Sequence, residues 1–441
     1  MMFEKYDAYK DSGIQWIGQI PEHWEIEKAK WIFLKADRPT RPNDGIVTCF
    51  RDGEVTLRSN RRTDGFTNAL KEHGYQGIRK DDLVIHAMDA FAGAIGVSDS
   101  EGKSTPVYSA CIPRIKNRIN VYYYAYYLRN LALAGFIESL AKGIRERSTD
   151  FRFADFAELL LPFPKLEDQE RIVAFLNQKT SEIDQAIAIK QQQIALLNER
   201  KQIVIQKAVT QGLDLNVPMK DSGVEWIGQI PEHWEIMKLK YLISKLESGV
   251  SVNASESESA SEKDIGVLKT SAVYKYMFDP NENKKVFKNE IRRVSCPVKA
   301  GSIIVSRMNA PDLVGASGYV EKDYTNLYLP DRLWQARFHT SDVEVPRFVS
   351  HILVTKGIRS IIESLATGSS PSMKNISKND FLNIEIPLPP VNEIFELNSF
   401  IRDRDFEYIQ SIELFKNQIE KLKEYKTTLI NDAVTGKIKV A

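Results

Sequence analysis

Basic and amide side chains are the residues of this chain whose types and spacing could do chemistry, and that chemistry is contact with nucleic acid. They occur in two stretches, each interleaved with turn residues. The candidates are Arg58, Arg61, Arg62, Arg145 and Arg147 in the first stretch, and Lys269, Lys275, Arg307 and Asn309 in the second. Arginine and asparagine can each make two hydrogen bonds to a base edge, and lysine pairs with phosphate. A solvated basic face remains the alternative for any single cluster.

Other chemistry finds little support in the sequence. The chain has no phosphate-binding glycine loop and no HExxH helix, and NAPD and LPDR lack the flanking residues of methyltransferase or nuclease motifs. The histidines show no ligand spacing, and the odd number of scattered cysteines favours free thiols in a reducing compartment. The histidines are His23, His73, His86, His233, His339 and His351, and the cysteines are Cys49, Cys111 and Cys296. We therefore predict no catalytic residue, no metal site and no cofactor in this chain.

Bulk composition sets limits on the class of protein. The chain has 441 residues, of which 43% are hydrophobic and 27% charged, which is typical of a globular protein with two or three domains. Its net charge is only +1, so a nucleic-acid role has to rest on where the basic residues lie. No stretch is apolar enough to cross a membrane or to serve as a signal peptide, and we expect a cytoplasmic protein.

Each half of the chain begins with the same segment. KDSGIQWIGQIPEHWEI at residues 10–26 returns as KDSGVEWIGQIPEHWEI at residues 220–236. The ends of the halves also match: LLLPFPKLEDQERIVAFL at residues 159–176 has the pattern of IEIPLPPVNEIFELNSFI at residues 384–401. The repeat is far longer than that of a solenoid, so the chain consists of two related modules in tandem.

The end of each module has a helical pattern. After LPFP we predict a short helix at residues 168–178, a helix start at Thr180-Ser181 and a long helix to about Gln211. Apolar heptad positions in both modules predict that the two long helices pair. The pairing residues are Ile187, Ile194, Leu197, Ile412, Ile419 and Leu422. Lys201 and Lys426 interrupt the two heptad patterns at the same point, either as a register device or as lysines that reach out to solvent.

Between these repeated parts lie two stretches that we call the first head (about residues 35–157) and the second head (about residues 245–382). Both mix short β-rich runs with turns, and their sequences do not align beyond their ends. One such run is GSIIVSRM at residues 301–308, and Arg307 and Asn309 are favoured as base contacts because they follow a predicted strand, at a loop that can approach the duplex. The Ser- and Glu-rich segment at residues 247–264 is expected to be a mobile loop.

The predicted fold class is α+β, with two globular mixed α/β domains separated by two long antiparallel helices and related by a pseudo-two-fold axis. The predicted segments are a first domain at 1–160, a helical region at 161–217, a second domain at 218–386 and a second helical region at 387–441. Paired helices of about 45 Å would hold the heads roughly one duplex turn apart. A fragment ending near Val217 should self-associate and prefer a palindromic site.

The chain resembles the specificity subunits of type I restriction-modification systems along essentially its whole length. SGIQWIGQIPEHWE and SGVEWIGQIPEHWE look like that family's entry to each target recognition domain. LPFPKLEDQERIVAFLNQKTSEID resembles its central conserved region, and IPLPPVNEIFELNSFI resembles the distal one. One departure is visible, since the family's acid-Gln pair is present as Asp168-Gln169 but the distal copy has Glu393-Ile394.

The resemblance implies a non-catalytic subunit in which each recognition domain reads one half of a bipartite asymmetric site in double-stranded DNA. The conserved helices would set the spacer and recruit two methyltransferase subunits together with restriction subunits. S-adenosylmethionine, ATP and Mg²⁺ would belong to those partners. Two other classes stay open: a nuclease or methyltransferase, which would act on DNA alone, and a protein-binding scaffold, which would show no salt-dependent, sequence-selective DNA binding.

Overall fold

The computed structural model describes residues 3–61, 72–140, 150–214, 216–370 and 373–440. The chain divides into two compact units. The first unit comprises Met1–Gln191 with Lys416–Ala441, and the second comprises Gln192–Phe415. Each of the two long helices therefore contributes one part to each unit. None of the helices in the described ranges is long and apolar enough to cross a membrane.

The first half of the chain contains twelve described strands and six described α-helices. The strands are β1 Tyr9–Asp11, β2 Gln19–Pro21, β3 Glu25–Lys28, β4 Phe33–Lys35, β5 Val47–Cys49, β6 Val55–Leu57, β7 Gln76–Ile78, β8 Leu83–His86, β9 Ile95–Val97, β10 Gly102–Ser104, β11 Tyr108–Pro113 and β12 Leu160–Phe163. The helices are α1 Ala29–Ile32, α2 Arg58–Arg61, α3 Val121–Leu133, α4 Phe136–Ser139, α5 Phe153–Glu158 and α6 Leu166–Gln211.

The second half has the same kinds of element in a similar order. The strands are β13 Met219–Asp221, β14 Gln229–Pro231, β15 Glu235–Lys238, β16 Ile243–Ser248, β17 Gly266–Leu268, β18 Asn283–Lys285, β19 Pro297–Val298, β20 Ile303–Ser306, β21 Met308–Asn309, β22 Ser317–Tyr319, β23 Tyr324–Tyr328, β24 Leu333–Phe338, β25 Thr367–Ser370, β26 Met373–Asn375 and β27 Glu385–Leu388. The helices are α7 Leu239–Leu242, α8 Glu344–Leu353, α9 Lys356–Leu365, α10 Lys378–Leu382 and α11 Val391–Val434.

The repeated entry segments adopt the same structure in the two units. Each forms a hairpin, β1 with β2 and β13 with β14, followed by a strand that pairs antiparallel with the strand leaving the head, β3 with β12 and β15 with β27. Trp24 and Trp234 of the two PEHW sequences are both fully buried. The entry segment thus joins the start of each head to its end, which accounts for a sequence repeated almost without change.

The two long helices are continuous. Helix α6 begins after Pro164 and ends one residue before Gly212, whose φ of 75° no helix interior adopts. The predicted break at Thr180-Ser181 is wrong. Threonine and serine favour helix starts, but unlike proline they do not prevent a helix from continuing. Thr180 accordingly lies inside α6, where it is buried.

The predicted pairing residues lie on the less exposed side of the long helices. Ile419 is buried, Ile187 and Leu422 pack against the core of the first unit, and Ile194, Leu197 and Ile412 are half-buried. Two ion pairs connect the helices. Within the first unit Lys426 Nζ lies 2.7 Å from Asp184, and within the second unit Lys201 Nζ lies 3.2 Å from Asp405. The lysines that interrupt the heptads therefore have acidic partners on the other helix.

The heads contain equivalent four-stranded antiparallel sheets, although their sequences do not align. The strand order is β4-β11-β8-β9 in the first head and β16-β24-β20-β22 in the second. In both, the strand that enters the head lies at one edge, and the strand before the head's helices lies next to it. The predicted α+β class, with two mixed domains and two long helices, is confirmed.

The segment at residues 247–264 is a loop beyond the end of β16 at Ser248, as predicted, and its mobility stays a prediction. Several of its residues hydrogen-bond to the strand β18 and its neighbours. Ser255 N donates to Lys285 O at 2.8 Å, and Ala260 N donates to the side-chain oxygen of Asn283 at 2.8 Å. Backbone bonding to an existing sheet edge thus satisfies part of this polar segment.

Candidate nucleic-acid interface

The loop that follows β8 in the first head and β20 in the second has the same backbone arrangement in both. His86 N donates to Ala94 O at 3.0 Å, and Ser306 N donates to Ala316 O at 2.8 Å. The next residue is also bonded alike, since Ala87 N donates to Val107 O at 3.0 Å and Arg307 N donates to Arg332 O at 3.1 Å. Residues 86–90 therefore correspond to residues 306–310, and we call 86–94 the first loop and 306–316 the second loop.

Glycines at corresponding places complete the match. Gly93 and Gly315 end the two loops with φ of 90° and 73°, a conformation that glycine adopts without strain. Three residues later a second glycine lies against a neighbouring segment. A Cβ on Gly96 would overlap the carbonyl oxygen of Gly53, and one on Gly318 would overlap the backbone nitrogen of Phe278.

These contacts identify a second part of each site. In the first head it is the turn between β5 and β6, residues 50–54, which we call the first flank. In the second head it is residues 270–278, the second flank. Because Gly96 and Gly318 have no side chain, each flank can lie directly against its sheet. A loop and a flank thus lie side by side in both heads.

The first loop and first flank are joined by an arginine and a carboxylate. Arg51 of the flank donates from Nε and Nη2 to Oδ1 of Asp89, at 3.3 and 2.7 Å. The Arg51 guanidinium also lies 5.9 Å from the Phe91 ring centroid. The ring of His86 accepts a hydrogen bond from Asp89 N at 3.0 Å, and burial lowers the pKa of this histidine. The loop side chains are therefore held in place before any ligand binds.

The corresponding pair in the second head is neutral. Asn309 Nδ2 donates to the hydroxyl of Tyr274 at 3.0 Å and to Ser306 Oγ at 3.2 Å, while its Oδ1 accepts from Ala310 N at 2.9 Å. A base contact by this amide would have to replace those bonds. Asn309 occupies the position of Asp89, and Tyr274 is the flank residue bonded to it, as Arg51 is bonded to Asp89.

Arg307 is half-buried, and its Nε is buried without a hydrogen-bond partner among the described residues. Its backbone is fixed by Arg332 on one side and by Ile376, whose N donates to Arg307 O at 3.0 Å. In the first head the same position is the buried Ala87. Arg307 thus has no counterpart in the first head, and its role as a base contact remains a prediction.

Of the other predicted residues of the second head, Lys275 lies on the second flank and Lys269 immediately before it. Lys275 is exposed, and Lys269 Nζ lies 3.8 Å from Glu282. Lys275 is therefore available to a phosphate, while Lys269 shares its charge with a neighbouring acid.

Of the residues predicted in the first head, Arg62, Arg145 and Arg147 lie outside the described residues. Arg61 forms ion pairs with Asp52 at 2.6 Å and with Glu54 at 3.0 Å, and it lies 4.1 Å from the Phe50 ring centroid. The hydrogen bond from Arg61 lowers the pKa of Asp52. Arg58 Nε donates to Thr48 Oγ1 at 3.4 Å. Arg61 is thus already paired with acids of its own flank.

Sequence reasoning missed the arginines that support the loops. Arg129 of α3 donates from Nη2 to Arg51 O at 3.3 Å, and Arg359 of α9 donates to Asp312 O at 3.0 Å. Burial lowers the pKa of both arginines. Spacing along the chain gives no signal for either residue. A signal for the loops did exist, because MDAFAGAIG and MNAPDLVGASG share Met, Asp or Asn, Ala and two glycines.

Several other titratable groups in the described ranges have structural contacts. His23 Nε2 lies 2.8 Å from Asp168, and His233 Nε2 lies 2.6 Å from Glu393, so these histidines fasten the entry segments to the long helices. Cys49 and Cys111 are buried, which raises the pKa of both thiols. In the part of the chain that the structure describes, no three His, Cys, Asp or Glu side chains could hold a metal ion.

No protein-family model matches the chain. Two relatives from Methanocaldococcus jannaschii align over its full length. The putative type I restriction enzyme MjaX specificity subunit is 24% identical over 468 residues, covering 100% of this chain and 99% of the relative. The type I restriction enzyme MjaVIII specificity subunit is 26% identical over 454 residues, covering 100% of this chain and 98% of the relative.

A solved structure from work on complex assembly and conformational transition of the type I R-M system is similar in fold. Its TM-score is 0.67, with 13% identity, over 94% of this chain and 98% of that chain. At this level of identity the likeness concerns the fold, and it extends over the heads and the long helices together.

Proposed function

We propose that the chain is a specificity subunit of a type I restriction-modification system and that each of its heads reads one half of a bipartite, asymmetric site in double-stranded DNA. The observation that carries this proposal is the pair of equivalent loops and flanks. The same sheet presents different side chains at the same positions, such as Asp89 and Asn309. Equal scaffolds with unlike loops are suited to reading two unlike half-sites.

The subunit acts without a catalytic site of its own. In the proposed complex two methyltransferase subunits supply S-adenosylmethionine chemistry, and restriction subunits use ATP and Mg²⁺. The long helices set the length of the untouched spacer and recruit these partners.

Exposed apolar side chains on the long helices support this division of labour. In the second unit Leu196 and Ile203 of α6 and Phe406, Ile409 and Leu414 of α11 are about half-exposed or more, at 49 to 62%. Large apolar groups repeated along an exposed helix face are typical of protein interfaces. We expect Leu196→Ser with Phe406→Ser to weaken co-purification of the methyltransferase subunit while leaving DNA selection by the chain intact. The control is Leu197→Val on the less exposed side of the helix, which should retain the partner.

Mapping of methylated adenines tests the function directly. Deletion of the gene from its host should abolish methylation at one bipartite motif, and its return should restore it. Binding of the purified full chain to a pool of random duplexes gives an independent measurement. An unchanged methylation map together with binding that ignores sequence would reject the proposal, and cleavage or methylation of DNA by the chain alone would point to an enzyme.

A further inference from the structure

We propose that Arg51, positioned by Asp89, is a base-reading residue of the first head and that it contacts a guanine. This inference rests on the proposed function and adds to it a residue outside the candidate contacts predicted from the sequence. It starts from the correspondence of the heads. Asp89 and Asn309 occupy the same loop position, and each is bonded to a side chain of the adjacent flank, Arg51 or Tyr274.

The geometry of the Arg51 guanidinium fits this role. Its Nε and Nη2 point to one oxygen of Asp89, so one edge of the planar group is occupied. The side chain is nevertheless 64% exposed, and Nη1 has no hydrogen-bond partner among the described residues. The opposite edge, formed by Nη1 and the second N–H of Nη2, therefore remains available. Two parallel donors on such an edge match O6 and N7 of guanine in the major groove.

The backbone of Arg51 is fixed as well as its side chain. Arg129 donates to its carbonyl oxygen at 3.3 Å, and the turn is closed by Phe50 N donating to Glu54 O at 2.8 Å. A Cβ on Gly93 would lie 2.9 Å from that same carbonyl oxygen. A flexible arginine loses side-chain entropy when it binds, and a carboxylate that already orients it reduces this loss.

The neighbouring arginines are less suited. Arg61 bridges Asp52 and Glu54 through both terminal nitrogens, and its side chain is 37% exposed against 64% for Arg51. Arg41 provides a matched control, because it is 60% exposed and pairs with Glu101 at 2.8 Å. Glu101 follows β9 at the end of the sheet opposite the first loop.

The test is selection from a pool of random duplexes by the full chain, with sequencing of the bound DNA. Wild type should select a bipartite motif. Arg51→Ala should lose the preference for guanine at one position of one half-site, by roughly 10- to 100-fold, and keep the other half-site. Asp89→Ala should weaken selection at that same position by a smaller factor, because Asp89 only orients the arginine. Arg41→Ala should select the wild-type motif.

Each other outcome has a definite meaning. If wild type selects a motif and Arg51→Ala selects the same one, this inference is wrong and the proposed function stands. If Arg51→Ala weakens binding to all sequences alike, the residue contacts phosphate and the inference is also wrong. If wild type shows no selection, the proposed function fails and the inference fails with it. Arg51→Gln is the control for misfolding. It should lose the same guanine preference and unfold at the same temperature as wild type in a thermal melt.

Discussion

The two entry segments of this chain are alike in both sequence and structure, whereas its two heads are alike only in structure. The entry segments at residues 10–26 and 220–236 are nearly identical in sequence and in structure. The heads have the same strand order and the same loop position, yet their sequences do not align. An entry segment pairs with the exit strand of its head, buries Trp24 or Trp234, and bonds to a long helix through His23 or His233. A head needs only a buried sheet, which many apolar sequences can form.

Four changes test how far the heads and modules are equivalent. The largest effect is expected where a flank meets its sheet. Gly96→Ala and Gly318→Ala should each lower the free energy of unfolding by about 3 kcal/mol or more, because the new Cβ would overlap backbone atoms. Urea titration of the full chain measures this. Gly135→Ala is the control, since φ is positive there but no atom lies within 4 Å, and it should cost about 1 kcal/mol. Equal losses at all three positions would contradict the correspondence.

Acid should affect the second head through His351. Burial lowers the pKa of this histidine from 6.5 to about 4, so the unfolded chain binds its proton first as the pH falls. The stability that the neutral ring provides is complete above pH 6.5 and is lost as the pH approaches 4, by about 2–3 kcal/mol. His351→Gln should therefore reduce the decline in unfolding free energy between these pH values. A His351→Gln curve parallel to that of wild type would contradict the assignment, and His86→Gln should change the curve less.

The two modules differ at the start of their long helices. Gln169 is fully buried and accepts from Asn120 N at 2.7 Å while donating to Pro164 O at 2.8 Å, whereas the matching Ile394 is buried among apolar residues. Gln169→Leu should cost about 2 kcal/mol, because it leaves buried backbone groups without partners. Ile394→Leu, which keeps an apolar side chain, should cost less than about 1.5 kcal/mol. Thermal and urea unfolding measure both variants, and equal costs would mean that the polar contacts of Gln169 do not matter.

The smallest effects are expected at the ion pairs between the long helices. Asp405 is more enclosed than Asp184, and burial raises its pKa. Asp405→Ala should cost about 1 kcal/mol because it leaves Lys201 half-buried and unpaired, whereas Asp184→Ala should cost at most about 0.5 kcal/mol. The free energy of unfolding of both variants, measured at low and at high salt, compares the two ion pairs. A larger loss at Asp184 would show that exposure does not determine the strength of these pairs.

Several parts of the fold followed from local sequence, and the exceptions have physical causes. The repeated segments, the long helices and their lysines were recognised from direct repetition and heptad spacing. The predicted break at Thr180-Ser181 was wrong, because burial of one face of α6 outweighed local preference. Among the site residues, Arg61 was predicted as a DNA contact and lies between two acids. The candidates of the first head included no residue of the first loop.

The sequence by itself determined the tandem arrangement and the long helices, because each depends on residues repeated along the chain. Only the tertiary structure decided that the two heads share one sheet order and which side chains meet at the loops. Arg51 and Asp89 are 38 residues apart and become neighbours only when the turn after β5 packs against the loop after β8. Such a contact depends on strand pairing between distant segments, and no local pattern in the sequence specifies it.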